Sequence, residues 1–182
     1  MKSFKEYFIF KEYKDNYKYA SLMSVLSDDL KNKIKVWSEK NILNKHLYYD
    51  ADGSKGRENN SHITVVYGFK NKDLTAIKSV VKKFGEFDVS LDKIGKFSSK
   101  EGYDVIKINI ISKKLLELHE KVSKVPHFST YSEFSPHCTI AYVKPNSCDN
   151  LIGSDYFKDI KINIKELSFH STEKEETIIN IV

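Results

Sequence analysis

The chain has 182 residues, of which 40% are hydrophobic and 30% are charged, and its formal net charge is +5 at pH 7. This length fits one domain or two small lobes that share a core, and the composition is typical of a soluble globular protein. The mild basic excess suits an anionic ligand but excludes a polybasic nucleic-acid arm. Two cysteines are too few for a disulfide framework, and charges interrupt every apolar run near the N-terminus. We therefore expect a cytoplasmic protein with neither a secretory signal nor a membrane partner.

The first half of the chain contains signals for two strands and two helices. Residues 1–16 alternate aromatic and charged groups without a clear period, so we treat them as an extension to a single domain spanning residues 17–182. A strand is predicted from Tyr19 to Val25, and Ser27 then caps a helix with apolar residues at i, i+4 and i+7. Residues 44–61 are rich in Asp, Gly, Ser and Asn and predict a long loop before a second strand. A second helix is expected from about Asn71 to Gly85.

The second half predicts more strands and one more helix. Alternating apolar residues indicate strands at 87–91 and 106–110, and a third helix ends before Pro126. A strand follows at 137–142 and another at 160–164, which Leu167 and Phe169 are expected to continue after a bulge, and residues 176–182 close the chain as a strand. Since two related strands occupy similar places, we predict a duplicated α+β fold. It consists of two lobes of antiparallel sheet with outer helices and a central cleft.

Two short segments of these strands have nearly the same sequence. His62-Ile63-Thr64-Val65-Val66-Tyr67 and His137-Cys138-Thr139-Ile140-Ala141-Tyr142 each place a threonine two residues after a histidine and a tyrosine five residues after it. Because side chains on a strand alternate between faces, the histidine and threonine are expected on one face and the tyrosine on the other. Two imidazoles and two hydroxyls brought face to face suggest acid–base chemistry on a phosphate.

The paired H-x-T motifs resemble those of the two-histidine (2H) phosphoesterase superfamily. The segment Gly56-Arg57-Glu58 and the runs HITVVYG and PHCTIAYVKP resemble more closely the phage anti-CBASS phosphodiesterases, which degrade cyclic oligonucleotide alarm signals of bacterial antiphage systems. This resemblance implies a metal-independent enzyme without a cofactor, with a cyclic di- or trinucleotide as substrate and, if phage-encoded, the host bacterial cytoplasm as its location.

The resemblance also implies roles for the motif residues. One of His62 and His137 would deprotonate a ribose 2′-OH while the other protonates the 5′-oxygen leaving group, and the reaction passes through a 2′,3′-cyclic phosphate. The hydroxyls of Thr64 and Thr139 would donate to the non-bridging oxygens. Which histidine is the acid and which the base stays open at this point.

Four further residues are candidates for substrate binding. Tyr19 and Phe97 are candidates for stacking on bases, Lys144 for neutralising a phosphate, and Glu166 for accepting hydrogen bonds from a base edge. A strand-end lysine and a solvated carboxylate are the simpler interpretations of the last two.

Several alternatives share these motifs. A 2′,3′-cyclic phosphodiesterase acting on RNA ends requires the same residues, as does a nucleotide- or RNA-binding module without turnover. Zinc binding by His137, Cys138 and Cys148 is disfavoured because adjacent strand residues point to opposite faces. Four other histidines lack an H-x-T context, namely His46, His119, His127 and His170. The sequence implies no protein partner.

Overall fold

Eight antiparallel strands form one continuous sheet in the computed structural model, which describes residues 18–70, 74–129 and 133–181. The N-terminal extension at residues 1–16 lies outside the described residues. The strands are β1 (Ala20–Val25), β2 (His62–Phe69), β3 (Phe87–Ser98), β4 (Asp104–Ile111), β5 (His137–Val143), β6 (Lys161–Ile164), β7 (Glu166–His170) and β8 (Glu176–Asn180). The helices are α1 (Asp28–Asn41), α2 (Thr75–Val81) and α3 (Lys113–Val122).

The order of strands across the sheet divides it into two equivalent halves. The order is β6-β3-β4-β5-β2-β1-β7-β8, so four strands lie on each side of the boundary between β5 and β2. The strands that carry the two H-x-T motifs meet at that boundary, where Ile63 pairs with Cys138. The predicted duplicated α+β fold is confirmed, with the refinement that both lobes belong to one sheet.

Residues 160–170 differ from the sequence prediction. Leu167 and Phe169 do not continue the preceding strand after a bulge, because β6 pairs with β3 at one end of the sheet and β7 pairs with β1 near the other. Only Lys165 separates the two strands in sequence. Since neighbouring strands lie about 4.8 Å apart, one residue joins these distant positions only if the sheet curls strongly.

Other element boundaries also shift. Strand β3 is more than twice the predicted length because it continues through Ser98, and α2 is shorter than the segment of about 71–85, of which residues 71–73 lie outside the described residues. The cap of α1 forms as expected, with the Ser27 hydroxyl accepting a hydrogen bond from the Leu30 amide at 3.4 Å.

The helices cover one face of the sheet, and each long helix packs against a strand from the opposite half. Helix α1 follows β1 in the chain but contacts β5, whereas α3 precedes β5 and contacts β2 of the other half as well as β3 of its own half. The sheet face beneath the helices carries apolar side chains that are almost fully buried. Examples are Leu22, Ile63, Val65, Ile106, Ile108 and Ile140. The other face of the same strands carries both H-x-T motifs, and we call it the catalytic face.

Candidate active site

The two motif histidines are held in the same way. The Nδ1 atom of His62 lies 2.8 Å from the carbonyl oxygen of Asn60, and the Nδ1 atom of His137 lies 2.8 Å from that of Ser135. A carbonyl oxygen only accepts hydrogen bonds, so Nδ1 donates in both cases. This hydrogen bond fixes the tautomer of each neutral ring and leaves the lone pair on Nε2. Each histidine is therefore prepared to exchange a proton through Nε2.

Both motif strands contain a β-bulge immediately after the threonine. Between the pairs Met23–Thr64 and Leu22–Val66 one residue, Val65, has no partner on β1. On β5 the residue in the equivalent place is Ile140, which is skipped between the pairs Lys107–Thr139 and Ile106–Ala141. A bulge adds one residue to one strand and so shifts the alternation of side chains beyond it.

These bulges overturn the prediction that the motif tyrosines lie opposite the histidines. Beyond the bulge, Tyr67 pairs with Ser21, and Ser21 lies on the same face as the partner of Thr64. Tyr142 likewise pairs with Val105, two residues from the partner of Thr139. Tyr67 is 52% exposed, whereas the residues expected to share its face are fully buried. Each motif therefore presents a histidine, a threonine and a tyrosine on the catalytic face.

The carbonyl groups of the bulged residues receive donors from elsewhere in the fold. The Val65 oxygen accepts a hydrogen bond of 2.7 Å from Nδ1 of His119, and the Ile140 oxygen accepts one of 2.9 Å from the Glu58 amide. The His119 ring also stacks on Phe134, with ring centroids 3.8 Å apart and planes inclined by 5°. His119, which lacks an H-x-T context, thus connects the β2 bulge to the segment that leads into β5.

The strand register brings the two half-sites together. Continuing the antiparallel pairing at Ile63–Cys138 by one residue in each direction places His62 opposite Thr139 and Thr64 opposite His137. Burial lowers the pKa of His137, and the positive charges of Lys107 and His62 lower it further, against the opposing effect of the Ser135 carbonyl. At neutral pH, His137 therefore favours its neutral form and is suited to accept a proton.

A buried lysine on the catalytic face was not found by the sequence analysis. Lys107 pairs with Thr139 and, like its neighbour Asn109, alternates with the buried isoleucines of β4. Its Nζ lies 2.8 Å from Oδ1 of Asn109 and 3.9 Å from the centroid of the Phe97 ring. The alternation of β4 suggested a polar position on a half-buried strand, but only the pairing of β4 with β5 places it beside the motif.

The four candidate substrate-binding residues lie at different places relative to the H-x-T motifs. Phe97 lies next to the motif, since its ring meets that of His137 edge to face at 4.9 Å. Glu166 is exposed, and continuing the register of β7 with β1 places it opposite Val25, which pairs with His62. Lys144 lies just beyond the end of β5 at an exposed position, where its amide donates to the His46 carbonyl.

The fourth candidate, Tyr19, lies in an aromatic cluster at one end of the catalytic face. Its ring stacks on Phe128 at 5.4 Å and meets Tyr67 edge to face at 5.8 Å. Gly68 permits this arrangement, because a Cβ there would lie 1.9 Å from the Phe128 oxygen. The cluster was missed in part, since Tyr67 was assigned to the other face and Phe128 lies far away in sequence.

The equivalent tyrosine of the other half lies in a cluster that contains a lysine. Tyr142 meets Tyr103 at 5.7 Å, and Tyr48 meets Tyr103 at 5.1 Å. The Lys55 ammonium lies 3.8 Å from the Tyr103 centroid and 3.2 Å from an oxygen of Asp50. The two ends of the catalytic face are therefore unequal: one exposes aromatic rings, and the other is occupied by the protein's own cation.

Arg57 and Cys138, which belong to the segments that carry the family resemblance, stabilise the fold and lie away from the catalytic face. Arg57 hydrogen-bonds through its guanidinium to the Ile42 carbonyl and, at 2.8 Å, to the Asn44 amide oxygen, so it fixes the loop before β2. Cys138 is buried under the helices, and burial raises the pKa of its thiol to about 12. Within the described ranges, no group of three or more His, Cys, Asp or Glu side chains forms a metal site.

Comparison with protein families shows to which one this chain is related. Residues 30–176 match the model of the 2′-5′ RNA ligase superfamily, which is most of the chain. The chain belongs to that superfamily. Its members include 2H phosphoesterases, so the resemblance carried by the two H-x-T motifs is confirmed at the level of the superfamily. No curated protein matches the chain in sequence.

Two solved structures share the fold of this chain. The TT0787 protein of Thermus thermophilus is 11% identical with a TM-score of 0.60, and the match covers 89% of this chain and 95% of that one. Escherichia coli LigT complexed with 3′-AMP is 13% identical with a TM-score of 0.60, covering 90% of this chain and 95% of LigT. At these identities the similarity establishes the fold.

In the part of the chain that the structure describes, no helix is long and apolar enough to cross a membrane.

Proposed function

We propose that the protein is a metal-independent phosphodiesterase that hydrolyses 3′–5′ bonds of cyclic oligonucleotide second messengers and so evades CBASS antiphage immunity. The observation that carries the reaction type is the pair of histidines on one sheet face, each with Nδ1 bound to a backbone carbonyl. Cleavage of a ribonucleotide phosphodiester requires one proton to be removed and another supplied, and two imidazoles perform both tasks without a metal.

The electrostatics support one assignment of roles. His137 is the base, because burial and the neighbouring positive charges lower its pKa and favour the neutral ring. Its Nε2 takes the proton of the ribose 2′-OH as the 2′-oxygen attacks phosphorus. His62 then donates a proton from Nε2 to the 5′-oxygen as the P–O5′ bond breaks. The product of this step is a 2′,3′-cyclic phosphate, which water opens with the roles reversed.

The threonines and the aromatic residues complete the proposed site. Extending the Ile63–Cys138 pairing places Thr64 and Thr139 opposite the histidines of the other strand, where their hydroxyls would donate to the non-bridging oxygens as negative charge develops. Tyr19 and Phe97 are proposed to stack on bases, and their positions beside Tyr67 and His137 support this. Glu166 would accept hydrogen bonds from a base edge, and Lys144 would neutralise a second phosphate at the far end of β5.

The substrate class is tested by incubating the full chain, in EDTA, with a panel of 3′–5′ cyclic di- and trinucleotides and a linear RNA ending in a 2′,3′-cyclic phosphate. Products are separated by chromatography and identified by mass. We expect cleavage of at least one cyclic oligonucleotide, and its loss in His62→Ala and His137→Ala. A matched control is His127→Ala, because that ring forms a local hydrogen bond to Val125 at 3.0 Å, outside the H-x-T motifs. Substrate retention without turnover would indicate a binding module instead.

A second candidate function is a 2′,3′-cyclic phosphodiesterase that acts on RNA ends. The description of the superfamily as 2′-5′ RNA ligases and the 3′-AMP bound to the similar LigT structure favour this candidate. It requires the same histidines and threonines. Action on the linear RNA alone would select it and contradict the cyclic oligonucleotide substrate.

A further inference from the structure

Lys107 is a buried cation without an anionic partner among the described residues. Lys107 is only 5% exposed. In the described part of the chain, its ammonium donates to the neutral amide oxygen of Asn109. The Phe97 ring covers another side of the ammonium at 3.9 Å. Burial lowers the pKa of this lysine. An unpaired buried charge destabilises the folded state, so the position calls for a compensating ligand.

A neighbouring lysine shows how the same fold satisfies a cation that has a structural role. Lys96, one strand away on β3, lies 3.2 Å from Asp104, 2.6 Å from Asp149 and 3.1 Å from the amide oxygen of Asn146. These carboxylates raise the pKa of Lys96. The contrast shows that Lys107 is a buried cation whose positive charge the described residues leave uncompensated.

The position of Lys107 indicates which ligand would compensate it. Lys107 pairs with Thr139, and Asn109 pairs with His137, so all four side chains lie on the catalytic face. Cross-strand neighbours on one face have Cβ atoms about 5 Å apart. The Phe97 ring contacts both groups, since its centroid lies 3.9 Å from the Lys107 ammonium and 4.9 Å from the centre of the His137 ring, so Lys107 and His137 are close. An anion that contacts Thr139 and His137 would therefore lie within reach of the ammonium.

The fold makes room for this arrangement on the adjacent strand. Gly95 pairs with Lys107 from β3, and a Cβ at Gly95 would lie 2.9 Å from Oδ1 of Asn109. The absence of a side chain there lets Asn109 remain beside Lys107 and hold its ammonium. The cation is thus fixed by Asn109 and Phe97 before any ligand arrives, which reduces the entropy lost on binding.

We propose that Lys107 binds the scissile phosphate of the substrate, donating from its ammonium to the non-bridging oxygen next to Thr139. This rests on the proposed phosphodiesterase function and adds a substrate-binding residue to the same site. Asn109 and Phe97 act as positioning residues for the ammonium. In the transition state the phosphorane carries additional negative charge, so the same contact strengthens as the reaction proceeds.

The test compares the full-length protein with Lys107→Met, using inorganic phosphate as the probe. Methionine keeps a long unbranched side chain but removes the charge. We expect phosphate affinity, measured by calorimetry, to fall about 10- to 100-fold, the range for losing a hydrogen bond to a charged group. Because the buried charge is destabilising, we expect the melting temperature to rise or stay unchanged. Lys93→Met, at an exposed position of β3, controls for the loss of one positive charge.

A second variant, Lys107→Gln, guards against a misfolded methionine variant, with native folding verified by near-UV circular dichroism. A lower melting temperature, failure of both variants to fold, or phosphate affinity within threefold of the Lys93→Met control would overturn the proposal. Its failure is distinguishable from that of the phosphodiesterase function. Cleavage by wild type together with unchanged phosphate affinity in Lys107→Met would refute only the role of Lys107. Phosphate binding through Lys107 with no phosphodiester cleaved would refute only the enzymatic function.

Discussion

Replacing His119 by phenylalanine should destabilise the protein by about 1–3 kcal/mol, the cost of leaving a buried acceptor without its donor. The Nδ1 atom of His119 donates to the Val65 carbonyl at 2.7 Å, and its Nε2 atom lies 3.2 Å from the Ser123 hydroxyl. Phenylalanine removes both hydrogen bonds while keeping a ring that can stack on Phe134. For a chain of this size 1 kcal/mol corresponds to a change in melting temperature of about 2–4 °C. We therefore expect a decrease of about 2–12 °C, together with lower turnover, because Thr64 directly precedes the bulge.

One further variant separates the hydrogen bonds of His119 from its stacking, and a second serves as a control. His119→Asn keeps a short donor but loses the ring contact, which is worth about 0.5–1.5 kcal/mol, so we expect a smaller loss of stability. His127→Phe is a matched control, because its Nδ1 contacts the carbonyl of Val125 only two residues away. Thermal unfolding by circular dichroism measures all three. If His119→Phe melts within about 1 °C of wild type, less than the smallest expected decrease, then the bulge carbonyl does not depend on His119 and the argument fails.

Four further predictions concern the catalytic face. Thr64→Val and Thr139→Val should each reduce turnover by on the order of 10²–10³ with the fold intact, whereas Thr177→Val on β8 should not; unchanged turnover would remove the threonines from the proposed site. Turnover should depend on pH as a bell, and Lys107→Met should shift its acidic limb to higher pH, because Lys107 lowers the pKa of His137. His137 binds its proton more weakly in the folded state than in the unfolded state, so its contribution to the free energy of unfolding should fall as pH decreases through about 6.5. A free energy of unfolding that increases as pH is lowered through this range would contradict this prediction. Gly68→Ala should lower the melting temperature more than Gly53→Ala, because both have positive φ but only the Cβ at Gly68 meets backbone, 1.9 Å from the Phe128 oxygen; equal melting temperatures would refute the close approach.

The sequence was sufficient for most of the elements and for the pairing of the motifs, because those depend on local periodicity and on one repeated pattern. It was insufficient for the faces of Tyr67 and Tyr142. A bulge changes the side on which every later residue of a strand lies, and nothing local in Thr64-Val65-Val66 distinguishes a bulge from regular strand. The route from β6 to β7 was missed for a related reason: Ile164 and Leu167 are apolar in both arrangements, and only pairing with different strands separates them.

Residues that depend on long-range pairing were also beyond local reasoning. Lys107 on β4 is an ordinary polar position in an alternating strand until its pairing with Thr139 is known. His119 has no neighbouring signal for its bond to Val65, which lies 54 residues away. In contrast, the helix cap at Ser27 was predictable, since the residues that form it are adjacent in the chain.

The exchange of helices between the two halves of the sheet determines how the protein unfolds. Helix α1 emerges from β1 yet contacts β5, and α3 leads into β5 yet contacts β2 as well as β3, so separating the two halves would uncover apolar surface on both. Neither half is therefore an independent folding unit, and two fragments expressed from a split gene would have to associate before either acquired a core. Loss of the catalytic face and global unfolding should consequently follow the same denaturant curve, with no active intermediate in which one half remains folded.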